Sequence, residues 1–426
     1  MDRQSLDQNT IRARVERMSA HIASGPPAVE PIHIGPESVG AIEVRAPRGR
    51  FWHRRVDHAP EEPWGEHIPE SLLSETDPAA DAESASVRVP FDDPGARVDL
   101  RDCVFLDCET TGLSGGAGTI PFLIALGQFD GTTFAVDQFF LADPSDEAAV
   151  LDCVAARLAE AKALVTYNGR AFDAPLLEGR FHFWRLSPEF VCLPHLDLLW
   201  PTRALFAHRL ESCALSQVEE QLLRYARTED LPGSEVPGVY FEYLRAGFSP
   251  RLHAVFEHNR FDVVSLFVYA LWLNAQTHPT RPRLAAPDDL MALARLWFRR
   301  HRSGPALAAL GEAESRVLDG HQRARLHELR GRILKRDHEY EAAHSQWQSL
   351  AAIHPARHDA AEEMAKHLEH RRRDFAAALA IVDRALENLR IRESLGEPEI
   401  AGARESLLRR QMRLKRRLAV AAPREA

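Results

Sequence analysis

An apolar run that ends in two carboxylates one residue apart constrains this chain more than any other stretch. In Val104-Phe105-Leu106-Asp107-Cys108-Glu109-Thr110-Thr111-Gly112-Leu113 the pattern is that of a strand. Side chains alternate along a strand, so Asp107 and Glu109 share one face and Cys108 points to the other. Two like charges held side by side repel, and a fold keeps them where something positive, most economically a divalent cation, lies between them. Oxygen donors favour magnesium or manganese over zinc. An isolated Asp-x-Glu reads as two exposed acids at a strand end. Here the pair closes a buried-type strand and runs into a Thr-Thr-Gly turn, which favours the cation site.

The 426 residues are enough for two or three domains with their own cores. A net charge of −9 argues against a wholesale basic coat, so contact with nucleic acid must come from local patches. No apolar run reaches the roughly eighteen residues of a membrane span. The N-terminus, with Asp2, Arg3 and Asp7, lacks a signal-peptide core, and a cytoplasmic protein is expected. The five cysteines are scattered without a Cys-x-x-Cys pair, which indicates small core residues rather than disulfides or a zinc site.

Three segments are expected. Residues 1–97 form an N-terminal extension: an amphipathic helix over 6–22, a hairpin over 39–56 turning at Gly49, and from Pro60 onward a linker rich in Pro, Glu, Asp, Ser and Ala. His53, His58 and His67 read as surface histidines. Residues 98–275 behave as one α/β domain. Ser114-Gly115-Gly116-Ala117-Gly118 lacks the Lys-Ser/Thr of a phosphate loop and is expected to be a mobile connection. Strands follow over 122–129 and 133–140, joined at Asp130-Gly131. Ser145-Asp146-Glu147 is expected to cap the next helix.

A third carboxylate stands in Asn168-Gly169-Arg170-Ala171-Phe172-Asp173, at the start of a helix. It either caps that helix or shares a metal there. Asp197, in His195-Leu196-Asp197-Leu198-Leu199, is a cap or a supporting group. In Glu257-His258-Asn259-Arg260-Phe261-Asp262 the His and the second Asp stand four apart and share a helix face. A neutral histidine beside a carboxylate cluster is placed to take a proton from water. One such pair is ordinary on a surface helix, but four elements in succession are not.

In that order, Asp107-x-Glu109, Asn168-x-x-x-Phe172-Asp173 and His258-x-x-x-Asp262 resemble the three motifs of the DEDD exonucleases of the ribonuclease H-like superfamily. The text around them, with Leu210-Glu211-Ser212-Cys213 and Pro232-Gly233-Ser234-Glu235-Val236-Pro237, is similar to the bacterial YprB-type group of predicted exonucleases. The His258 spacing departs from the histidine branch (DEDDh) by one residue and is that of its tyrosine branch. The resemblance implies a mixed sheet flanked by helices. It further implies two divalent cations, Mg2+ or Mn2+, held by Asp107, Glu109, Asp173 and Asp262, with His258 as general base. Thr110, Thr111, Gly112 and Leu113 would touch the terminal nucleotide. The implied reaction is metal-dependent 3′–5′ release of nucleoside monophosphates from a single-stranded nucleic-acid 3′ end.

Residues 288–420 are expected to be all-helical. Ala306-x-x-x-Leu310-x-x-Ala313, Ala343-x-x-x-Trp347-x-x-Leu350 and Ala378-x-x-x-Val382-x-x-Ala385 recur, and Gly331, Tyr340 and Pro355 stand where a tetratricopeptide (TPR) repeat has its glycine, aromatic and proline. Such repeats bind a protein partner in a groove. Arg299-Arg300, Arg371-Arg372-Arg373, Arg409-Arg410 and Lys415-Arg416-Arg417 are either solvated faces or a track for phosphates. The alternative to an enzyme is a non-catalytic adaptor that holds a strand end and recruits a partner through the repeats. Four intact carboxylates favour the enzyme.

Overall fold

The computed structural model describes residues 35–59, 61–67, 99–112, 118–130, 133–228, 230–355, 357–395 and 402–421. The expected helix over 6–22, the glycine-rich loop except Gly118, Leu113 and turn residue Gly131 lie outside them.

A hairpin of β1 (Ile42–Ala46) and β2 (Gly49–His58) opens the described chain. Next come β3 (Cys103–Thr110), β4 (Pro121–Asp130) and β5 (Thr133–Phe140), with β4 antiparallel to both β3 and β5. Helix α1 (Glu147–Leu158) leads to β6 (Ala163–Thr166), and α2 (Asp173–Phe183) leads to β7 (His195–Asp197). The seven strands form one sheet in the order β1-β2-β5-β4-β3-β6-β7, and β3, β6 and β7 run parallel. That arrangement brings the carboxyl ends of three strands to one edge, the place where α/β sheets bind ligands. It is the mixed, helix-flanked sheet expected for the central region. The sheet does not begin at residue 98, however: β2 pairs with β5, setting Trp52 opposite Phe140. The hairpin belongs to the same sheet as the site.

Helices α3 (Leu199–Phe206), α4 (Leu215–Val218) and α5 (Val236–Ala246) follow, then α6 (Leu252–Gln276). The second half of α6 is apolar on all sides because it is buried on all sides. Its inner face lies on the sheet, with Phe267 stacked on Phe134 at 4.0 Å and edge-on to Phe105 at 5.5 Å. Gly127 of β4 permits this approach, since a Cβ there would come within 2.5 Å of Val263.

The remaining helices are α7 (Pro287–Arg299), α8 (Ser303–Glu314), α9 (Gly320–Arg336), α10 (Tyr340–Ile353), α11 (His358–His367), α12 (Phe375–Ser394) and α13 (Ala403–Ala421). All nine residues of the recurring small-apolar pattern are buried, on α8, α10 and α12. Gly331 is required by packing, because a Cβ there would meet the Trp347 indole at 2.8 Å. One apolar cluster runs from Phe105 and Phe134 through Phe267 and Trp272 to Leu290, Leu310 and Ile333, so the sheet and the first helix pairs share a core.

Several expectations are corrected. Trp64, in the segment read as linker, is buried, stacks on Tyr225 at 4.3 Å and donates Nε1–H to Ser265 at 3.0 Å. One indole among Pro and Glu vanishes in a composition average, yet it supplies a large apolar surface. His58 is buried beside Arg260, and the His53 ring nitrogen lies 2.7 Å from Asp137. Cys192 is exposed. The turn before α1 is capped by Asp143, whose Oδ1 accepts from the Ser145 amide at 2.9 Å, rather than by Ser145. Among the C-terminal basic groups, Arg410 is buried against Glu369, which removes it from any phosphate track, while Arg372 pairs with Glu341 at the surface. Among the described residues, no helix is long and apolar enough to cross a membrane.

Candidate active site

Strand β3 sorts its side chains as its alternation requires. Cys103 and Phe105 enter the cluster under α6, while Val104, Leu106 and Cys108 pack on the opposite face with α1 and α2. Asp107 and Glu109 therefore continue the α6 face. Fully buried Asn259 of α6 donates Nδ2–H to Asp107 Oδ2 at 2.8 Å. Its own Oδ1 accepts from Gln138 Nε2 at 3.0 Å, and Gln138 also reaches the Phe256 carbonyl at 2.8 Å. This amide relay fixes the register of α6 over β3. A register shift after Glu109 bends the strand away, and the turn is closed by Thr110 Oγ1 donating to the Gly112 carbonyl at 3.0 Å. Thr111 in turn exchanges hydrogen bonds with Ile120, each of 3.0 Å.

From α6, His258 and Asp262 descend on the same side. His258 Nε2 lies 3.8 Å from Glu109 Oε1 and 3.8 Å from Asp262 Oδ2. Ligand atoms of Glu109, His258 and Asp262 all fall within 4.8 Å of one another, a spacing one cation can bridge. The other ring nitrogen, Nδ1, is 2.8 Å from Asp230 Oδ1. Arg227 completes the rim. It grips Glu219 through Nε at 2.9 Å and Nη2 at 2.5 Å, donates Nη1–H to Asp230 Oδ2 at 3.1 Å, and hydrogen-bonds Asp262 Oδ1.

Asp173 opens α2, and Asp197 at the end of β7 shapes the approach to it. Buried Asp197 accepts from the Asn168 amide at 2.7 Å, the Leu199 amide at 3.0 Å and the Arg170 amide at 3.1 Å. It thereby holds Asn168 in a left-handed turn (φ 64°) that swings the chain back toward the sheet edge. Asp197 is thus a loop anchor, not a helix cap alone. The other end of α2 is tied down by Arg180 and Trp184, both bonded to buried Glu147 of α1.

The electrostatics make these groups one unit. Burial, then the charges of Asp262, Glu109 and Asp173, push the Asp107 carboxyl well above its ordinary range. Burial pushes Glu109 up to about 8, with Asp262 and Asp173 adding and His258 and Arg227 opposing. Asp173 is raised to about 7, mainly by burial, against hydrogen bonds from its own amide and from Cys108. Burial pulls His258 down, but the Asp230 hydrogen bond and the charges of Asp262 and Glu109 outweigh it and raise the ring to about 9. Burial and the neighbouring charges thus disfavour the ionised forms of Asp107, Glu109 and Asp173, and a cation among them would relieve that cost.

The structure brings Asp107, Glu109, Asp173, His258 and Asp262 together, with Thr110, Thr111 and Gly112 alongside. Sequence reasoning missed Glu219, Arg227, Asp230, Asn259 and Gln138. Asn259 stands beside His258 in the motif, and its place next to the cluster is readable from that adjacency. The others carry no local pattern.

Residues 104–274 match the family model described as the RNase_H superfamily. Fold and site together define a ribonuclease H-like domain of the nuclease type, a class that typically works with divalent metals on nucleic acid. The chain is 30% identical over 288 residues, 67% of its length and 69% of the relative's, to the uncharacterized protein YprB of Bacillus subtilis (strain 168). It belongs to the YprB family.

Proposed function

We propose that this chain is a metal-dependent 3′–5′ exonuclease. The observation that carries the reading is the cluster of Asp107, Glu109 and Asp173, each with its pKa driven upward, facing Asp262 and the His258 Nε2 at one sheet edge. The donors are carboxylate oxygens with one imidazole, and the nearby Cys108 thiol is held protonated by burial, so the set fits Mg2+ or Mn2+. Asp107, Glu109, Asp173 and Asp262 would hold two such ions, which would supply charge relief at the leaving oxygen and a more acidic water. His258 Nε2 takes the proton from the attacking water in its neutral form, which becomes accessible because cations held by Glu109 and Asp262 would cancel the charges that help raise the ring to about 9. Asn259 and Gln138 keep Asp107 in one rotamer, and the Thr110, Thr111 and Gly112 turn walls the terminal nucleotide. The C-terminal helix pairs, tetratricopeptide-like in pattern, would offer a protein partner a docking groove.

The test is digestion of 5′-labelled single-stranded DNA and RNA oligonucleotides with Mn2+, Mg2+ or EDTA. Stepwise shortening with release of mononucleotides, abolished by EDTA, is expected. Internal cuts first would replace the exonuclease with an endonuclease. Retention of the strand without cleavage in every metal would leave the adaptor.

A further inference from the structure

We infer that Asp230 is a positioning residue for His258: it fixes the proton on Nδ1 and turns Nε2 toward Glu109 and Asp262. The inference rests on the exonuclease reading for its catalytic consequence, but its structural content stands apart. An ionised carboxylate only accepts hydrogen bonds, so the 2.8 Å contact between Asp230 Oδ1 and His258 Nδ1 requires Nδ1 to carry a proton. In the neutral ring the lone pair is then on Nε2, the atom 3.8 Å from both Glu109 and Asp262. Without that partner, an imidazole is free to rotate or adopt the other tautomer, leaving no acceptor at the reacting position.

Asp230 is built in rather than incidental. It lies 28 residues from His258 in sequence, on the segment before α5, so the orientation of the ring is set from outside its own helix. Its second oxygen is held at 3.1 Å by Arg227, whose side chain is only 7% exposed and is anchored on the nearly inaccessible Glu219. The same guanidinium binds Asp262 Oδ1. One buried cation therefore sets both Asp230, behind the imidazole, and Asp262, in front of it, and leaves Asp262 Oδ2 facing Nε2. An ordinary surface ion pair has no such rigid support.

The experiment combines a double-mutant cycle with a spectrum. In Mn2+ on the 5′-labelled oligonucleotide, Asp230→Ala should lose about 10- to 100-fold in kcat with little change in KM. Added to His258→Ala, it should lose nothing more, because Asp230 acts only through that ring. Long-range 1H–15N spectra of the metal-free protein, followed upward in pH until the His258 ring signals reach their neutral plateau, read the tautomer directly. Wild type should show Nδ1–H, and Asp230→Ala and Asp230→Asn should shift toward Nε2–H. An Nε2–H ring in the wild type overturns the inference, as does an equal loss from Asp230→Ala with and without His258. If no strand is cleaved, the proposed function fails while the spectrum still decides the role of Asp230.

Discussion

Replacing Glu109 with Gln should make the metal-free protein more stable, and only above mildly acidic pH. The Glu109 side chain is 12% exposed, and burial with Asp262 and Asp173 nearby raises its pKa from 4.5 to about 8. A carboxyl whose pKa is raised on folding binds its proton more tightly in the native state. Its ionisation therefore costs nothing below about pH 4.5 and destabilises progressively as pH climbs to about 8. At about 1.4 kcal/mol per pH unit, that rise sets a ceiling of about 5 kcal/mol. Glu109 keeps an edge to water, and the higher effective dielectric there brings the expected gain to about 2 kcal/mol. Gln preserves the shape and removes the charge. Thermal melts in EDTA should put Glu109→Gln several degrees above wild type at pH 8, on a scale of about 2–4 °C per kcal/mol for a domain of this size. The two should coincide at pH 4.5, and adding Mn2+ at pH 8 should reverse their order. A variant no steadier than wild type at pH 8, or equally steadier at pH 4.5, would refute the argument that burial and neighbouring acids make an ionised Glu109 costly without a cation.

Stabilisation of the wild type by Mn2+ should grow from pH 6 to pH 8.5, because Glu109 and Asp173, raised to about 8 and about 7, must release protons to bind it; a flat response in melts would count against them as ligands. Asp107→Ala and Asp262→Ala should each abolish cleavage of labelled oligonucleotides, and normal turnover by either would remove that residue from the mechanism. His258→Ala should cost roughly 10² to 10⁴ in rate at unchanged Mn2+ affinity. Rescue of that variant by excess Mn2+ would instead make His258 a ligand. Gly331→Ala, ordinarily helpful in a helix, should cost about 1–3 kcal/mol in denaturant unfolding, because its Cβ would strike Trp347 at 2.8 Å.

What the sequence determined by itself is what depends on short periods. Alternation along β3 set Asp107 and Glu109 on one face and Cys108 on the other, and the helical repeat set His258 and Asp262 side by side. The same logic marked the buried stripes of α8, α10 and α12. What only the tertiary structure decided lies across elements. Trp64 in the core, the β1–β2 hairpin on β5, and the continuity of the core from the sheet into α7–α9 all depend on pairings between distant segments. So does the rim of the site: Glu219, Arg227 and Asp230 stand on a stretch with no motif, and their meaning comes from meeting α6. A periodic pattern reports which face of one element is buried. A lone polar side chain gains its role from the partner that desolvates and orients it, and that partner is chosen by the packing of the whole chain.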